Sequence, residues 1–164
     1  MNQSDMVHKQ FADILAAATT EAEVFNALHR LSDTLMPVRL WTVMTVDLDA
    51  GIARRAYSNM PKAYPPSGTK PITPNAWFDI IHGRRETFVA NTLAEIAEVF
   101  PDYELIGSLG CGSVMNLPVF DGDSLLGTVN LLDAKGHFTA ERVRAVQTTL
   151  ADPSLAAMRA ARAL

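Results

Sequence analysis

The 164-residue chain holds one cysteine, Cys111, which excludes an internal disulfide and a cysteine-rich metal site. Its four histidines, His8, His29, His82 and His137, are scattered and fall in no metal-ligand spacing, so neither a metal nor a cofactor is expected. Long apolar runs are missing. No stretch approaches the ~18 consecutive apolar residues of a membrane span, and the opening segment MNQSDMVHKQFADILAAATTEAE carries acids but no apolar run of signal length. Charge of one sign is missing too. Fourteen Lys and Arg stand against 18 Asp and Glu, a net charge of −4, with no basic cluster of the kind nucleic-acid binders show. These absences lead to the expectation of a cytoplasmic protein whose lone thiol sits in a reducing compartment, with neither nucleic acid nor membrane as a partner. Catalytic signatures are equally sparse. There is no G-x-S-x-G elbow, no Walker loop and no G-x-G-x-x-G; Gly107, Gly110 and Gly112 have the wrong spacing.

What remains is an ordinary globular composition, 48% apolar and 20% charged, at a length suited to one domain over residues 1–164. Val7, Phe11, Ile14, Leu15 and Ala18 make one helical stripe over 5–18, with Ser4 as its N-cap. Thr20 and Glu23 have capping-box spacing and open a second helix with Val24, Leu28, Leu31 and Leu35, which stops before Pro37. From Leu40 the pattern becomes that of a strand, LWTVMTVDL, followed by the turn Asp49-Ala50-Gly51 and an antiparallel partner, IARRAYS. Strict alternation puts Ile52, Arg54, Ala56 and Ser58 on one face of that partner and Ala53, Arg55 and Tyr57 on the other.

Residues 59–74 hold Pro61, Pro65, Pro66, Pro71 and Pro74. A connection this long inside a domain is functional or disordered, and Tyr57 and Tyr64 favour an ordered covering loop. Thr73 and Pro74 are placed as N-cap and N1 of a short helix over 75–82 that ends at Gly83. A short strand, ETFVA, precedes a helix with Leu93, Ile96 and Phe100 in line; Pro101 breaks it and DYELIGSLG forms another helical piece. SVMNLPVF and SLLGTVNLLDA form a hairpin about Asp121-Gly122-Asp123, with Pro118 marking an edge or bulge. Thr139 caps a helix carrying Val143, Val146 and Leu150, and Asp152-Pro153 restarts a final one with Arg159 and Arg162 in its last turn. The fold class that follows is α+β: an antiparallel sheet with helices packed on one face.

The segment GCGSVMNLPVFDGDSLLGTVNLLDAKGHFTAERVRAV resembles the C-terminal half of a GAF domain. The carriers are Pro118, Gly122 and the G-x-x-N-L signature at Gly127, Asn130 and Leu131, while the opening helices and the hairpin from Leu40 match the N-terminal half. The stretch YSNMPKAYPPSGTKPITPNAW resembles a group of single-domain bacterial GAF-like proteins. This resemblance implies an antiparallel sheet of about six strands, with terminal helices on one face and a ligand pocket on the other under the 59–110 segment. It implies a small-molecule sensor or metabolite binder, dimeric through its terminal helices. The alternative is a small enzyme on the same fold, because some GAF domains reduce free methionine sulfoxide. A third reading is a dimerisation domain with a vestigial pocket.

Among candidate site residues, Cys111 is the only thiol nucleophile for the enzyme reading, but it lies between Gly110 and Gly112 with no charged neighbour in sequence to lower its pKa. The aromatics Tyr57, Tyr64, Trp77 and Tyr103 cluster around the proline-rich segment as candidate pocket lining. Asn116 and Asn130 interrupt apolar strands, and a buried amide left unbonded costs ~1–3 kcal/mol. A three-residue loop over 121–123 sets Asn116 opposite Thr128 and diagonal to Asn130; a two-residue turn at Asp121-Gly122 sends the two amides to opposite faces. Arg54-Arg55 and Arg84-Arg85 suit an anionic ligand, with at most one of each pair facing the pocket. Asp121 and Asp123 read as turn residues. The four histidines read as structural, His8 and His29 on the polar sides of the opening helices.

Overall fold

The computed structural model describes residues 2–164. Two helices, α1 (Gln3–Ala17) and α2 (Glu21–Leu35), precede strands β1 (Leu40–Asp47), β2 (Ile52–Ser58) and β3 (Lys70–Pro71). Helix α3 (Ala76–Phe78) runs into one π turn (Asp79–Gly83), followed by β4 (Phe88–Ala90), α4 (Leu93–Ala97) and α5 (Tyr103–Ser108). The hairpin β5 (Ser113–Asp121) and β6 (Ser124–Asp133) leads into α6 (Ala140–Arg162). The strands form one antiparallel sheet in the order β3-β2-β1-β6-β5-β4. Among the described residues no helix is long and apolar enough to cross a membrane.

The sheet separates two unlike layers. On one face α1, α2 and α6 bury a continuous core in which Phe25, Leu28 and Met158 meet Trp41, Met115 and Leu131 from the strands. The other face is covered by the short helices α3 to α5 and the segments that connect them. There the apolar contacts split into two smaller clusters, one around Leu40, Ile96 and Ile106 and the other around Val46, Ile81 and Leu125.

Four local expectations are corrected. The carboxamide of Asn2, not Ser4, caps α1 by accepting from the Asp5 N–H at 2.8 Å. Asn75, not Thr73, caps α3 by accepting from the Phe78 N–H at 2.8 Å, so Pro74 lies outside the helix. In both cases an extended residue with a short amide starts the turn, as suits an N-cap. Residues 140–162 form one helix, with Pro153 inside it. Proline in a helix interior removes a hydrogen bond and costs ~3 kcal/mol. Val146, Leu150, Ser154, Ala157 and Met158 offset this by continuing one buried stripe through the proline. His29 is half-buried, not on a polar face: it stacks on Trp41 at 4.9 Å and its Nδ1 lies 3.0 Å from the Tyr57 hydroxyl.

Two bulges set the registers that matter. Val43 pairs with Tyr57 but Met44 pairs with Arg55, leaving Ala56 as an extra residue in β2. A bulge reverses side-chain alternation beyond it, so Tyr57 joins Ala56 on the helix side while Arg55 faces the other way. In the hairpin, Asp121 pairs with Ser124 across a tight turn at Gly122-Asp123, and a second bulge makes Leu126 the extra residue. Asn116 therefore lies directly opposite Asn130, a register that neither simple turn produces. β4 begins at Phe88, opposite Asn116, so Pro118 lies beyond the stretch of β5 that β4 pairs with, where a residue without an N–H is tolerated.

Candidate ligand-binding site

Between the sheet and its covering of short elements lies a cavity of about 610 Å³, within the range of small-molecule sites. Its floor is the sheet face away from the long helices. Thr42 and Met44 of β1, Thr128 and Asn130 of β6, and Asn116 of β5 point into it, with Arg55 of β2 at one side. Tyr64, Trp77, Phe100 and Ile106 enclose it from above, and Lys70 stands at the rim.

A chain of hydrogen bonds crosses the floor. The Trp77 indole N–H donates to Asn116 Oδ1 at 3.0 Å. Asn116 Nδ2 donates to Asn130 Oδ1 at 2.8 Å, and Asn130 Nδ2 donates to Thr42 Oγ1 at 3.1 Å. Thr42, Asn130 and Asn116 fall in one cross-strand row, since Thr42 pairs with Asn130 and Asn130 with Asn116. In the adjacent row Met44 pairs with Arg55 on one side and Thr128 on the other. Thr128 is fully buried and its hydroxyl has no hydrogen-bond partner, a condition that costs ~1–3 kcal/mol unless something polar meets it.

The covering segment is held by charge as well as apolar contact. The Arg55 guanidinium lies 4.7 Å from the centre of the Tyr64 ring and donates to the Pro65 carbonyl at 3.1 Å. The Tyr64 hydroxyl donates to the Asp102 carboxylate. Burial first, and then that carboxylate, raise the Tyr64 pKa far above the ordinary phenol value. The prolines of the segment thus bracket an anchored loop.

Of the residues singled out from sequence, Tyr64, Trp77, Asn116 and Asn130 are brought together around the cavity. Tyr57 is not among them: the bulge at Ala56 turns it toward α2, where it accepts from Asn26 Nδ2 at 3.3 Å. Tyr103 is half-buried at the start of α5 against the outer cluster, its hydroxyl directed at Glu104, and it does not line the cavity. Cys111 is 4% exposed and also outside the lining. Burial pushes its thiol up to about 11, the nearby Asp133 carboxylate adds to this, and Arg39 opposes it. Arg54 is taken by Glu21 in a two-pronged ion pair of 2.8 and 2.7 Å on the helix side. Arg85 clamps the hairpin turn through Asp123 and the Gly122 carbonyl.

Thr42 and Thr128 escaped the sequence reading, as did the Tyr64–Asp102 anchor. Threonine is common in strands for its branching alone; only the cross-strand rows mark these two as site residues. The G-x-x-N-L signature, by contrast, gains a physical account. A Cβ on Gly127 would lie 2.1 Å from the Met44 carbonyl oxygen, Asn130 is the middle of the amide chain, and Leu131 is buried in the helix-side core. Gly127 clears the backbone approach that brings β6 against β1, three residues before the amide the floor requires.

A family model described as GAF domain matches residues 22–153. No curated protein matches the chain. Among solved structures, the GAF domain of an Acinetobacter phosphoenolpyruvate-protein phosphotransferase is 13% identical, with a TM-score of 0.70 over 99% of this chain and 97% of that one. A phycocyanobilin-bound GAF domain from a cyanobacterial phytochrome is 14% identical, with a TM-score of 0.68 over 99% and 96%. Free methionine-R-sulfoxide reductase from Neisseria meningitidis, in complex with its substrate, is 15% identical, with a TM-score of 0.65 over 99% and 94%. At these identities the likeness is one of fold.

Proposed function

Because the chain belongs to the GAF domain family, a small-molecule-binding fold, we propose that it is a sensor or binder of a small metabolite held in the cavity between the sheet and residues 59–110. The observation that carries this reading is the floor: three polar side chains bonded in a row beside a buried hydroxyl with no partner. Burying amides and hydroxyls where apolar side chains would pack more cheaply needs a return, and recognition of a ligand supplies one. The phytochrome GAF domain with its bound bilin lends the reading support by analogy of fold. The cytoplasm is the proposed compartment, where a free buried thiol such as Cys111 persists.

The test is native mass spectrometry of the protein purified from its host. A bound small-molecule mass is expected in the unaltered chain, lost in Trp77→Ala and kept in Tyr57→Phe, whose ring lies on the far side of the sheet. Equal retention of the bound mass in both variants overturns the proposed site.

An enzyme on this fold is the competing class, and the solved reductase keeps it in view. The raised thiol pKa of Cys111 and its position outside the lining weigh against a reaction carried by that thiol. We propose also that two copies associate through the terminal helices. Met6 and Ile14 of α1 are 50% and 41% exposed, outside the stripe of Val7, Phe11 and Leu15 that packs inward. The double substitution Met6→Glu, Ile14→Glu is expected to halve the sedimenting mass without altering the fold; an unchanged mass overturns this mode of association.

A further inference from the structure

The hydrogen-bond chain on the cavity floor has a direction, and one residue fixes it. An indole N–H can only donate. Trp77 therefore forces Asn116 to present Oδ1 to it, which leaves Asn116 only Nδ2 to offer Asn130. Asn130 must then present Oδ1 to Asn116 and Nδ2 to Thr42. Each amide oxygen accepts from the neighbour before it and keeps one further lone pair. Each amide nitrogen keeps a second N–H, and Thr42, whose oxygen accepts from Asn130, keeps its O–H. The Thr128 O–H in the adjacent row has no partner among the described residues.

The rest of the lining leans the same way. Arg55 has five N–H groups, and a single bond to the Pro65 carbonyl accounts for one. Asn75, at the edge, has its oxygen committed to the Phe78 N–H. Asp102 is the one carboxylate among the lining residues, and it accepts the Tyr64 hydroxyl. Against it stand two cations, Arg55 and Lys70. Free N–H and O–H donors and positive charge thus outweigh the acceptor capacity that is left, and they concentrate in two adjacent cross-strand rows. Arg55 and Thr128 flank Met44 in one row, and Thr42, Asn130 and Asn116 make up the other. Strands lie ~4.8 Å apart and same-face residues ~7 Å apart along a strand, so the two rows span a floor about 14 Å by 7 Å, across which the long Arg55 side chain can reach toward the amide of Asn130. Leu40, Val114, Ile106, Phe100 and Leu132 supply apolar wall away from that patch.

Resting on the ligand-binding reading, we propose that the cavity takes a small organic carboxylate, with its oxygens on the donors of Asn130 and Arg55 and its apolar body against the walls. Trp77 acts as a positioning residue, holding the amides with their nitrogens free.

The test uses the intact protein and calorimetric titration with three matched pairs on shared skeletons: hexanoate and hexylamine, 3-phenylpropanoate and 3-phenylpropylamine, indole-3-propanoate and the corresponding amine. A charge-assisted hydrogen bond contributes ~1.5–3 kcal/mol, a factor of about 10 to 100 in affinity. Acids are expected to bind tighter than their amines by at least that lower factor. Arg55→Met is expected to remove most of the preference. Trp77→Phe, which leaves an aromatic ring but no donor, is expected to narrow the gap between acid and amine more than it changes the melting temperature. Amines that equal or exceed the acids, an acid preference untouched by Arg55→Met, or failure of every acid to bind overturns the inference. A neutral or cationic molecule found by native mass spectrometry in the unaltered protein overturns it too, while leaving the ligand-binding reading intact. Absence of any bound mass together with failure of all six probes overturns both.

Discussion

At the scale of single residues, environment decides more than identity. Cys111 looks reactive because it is unique, yet burial pushes its thiol up to about 11, so the nucleophilic thiolate is scarce at neutral pH. Iodoacetamide labelling of the native protein is expected to be far slower than of the unfolded chain, and Cys111→Ser is expected to leave ligand binding unchanged; rapid native labelling would contradict the first, and weakened binding the second. His29 is governed by the same physics with the opposite sign. Its burial between Trp41 and Tyr57 lowers its pKa below 6.5, and Asp33 only partly counters this. The folded state therefore binds fewer protons than the unfolded state as pH falls through 6.5 toward the lowered value. The contribution is complete above that window and is lost within it. The melting temperature is expected to drop as the pH is lowered from 7 through the window, and His29→Gln is expected to flatten that part of the profile.

At the scale of elements, the long periodic segments were legible and the registers were not. Helix α2, the β1–β2 hairpin and the β5–β6 hairpin follow from the 3.6 and 2-residue periods together with the Thr20 cap and the turn residues. Sequence alternation fails where an extra residue enters a strand, because nothing in IARRAYS or SLLGTVN announces a bulge. Strict alternation thus puts Tyr57 on the face opposite to the one it occupies, and neither simple turn pairs Asn116 directly with Asn130. Thr42 and Thr128 stayed invisible for the same reason, since each matters only through its cross-strand neighbours. Gly127 is the clearest case of a motif residue explained by an element. Its partner across the ladder is Thr45, and the approach to the Met44 carbonyl leaves no room for a methyl group. Gly127→Ala is expected to destabilise by about 1–3 kcal/mol in a denaturant titration, because the obstructing atom belongs to backbone; a variant as stable as the parent would show that β6 can draw away from β1.

The molecule as a whole is lopsided. One side of the sheet carries three helices, the longest of 23 residues, over an unbroken core. The other carries helical pieces of three to six residues over a divided one. Segments with few buried contacts open with less free energy than the global transition. Hydrogen exchange is expected to be fast in 60–80 and 93–108, slow in β1 and β6, and slowed in the first two segments when the cavity is filled. Uniform protection across both sides would contradict the division. The tandem Arg54-Arg55 adds a consequence of its own. With Ala56 set aside as the surplus residue, Arg55 turns to the hollow and Arg54 to Glu21. Were the strand to thread without that kink, the two would trade places, and a guanidinium would still look inward while its twin met the acid on α2. The positive charge of the chamber therefore does not depend on the bulge.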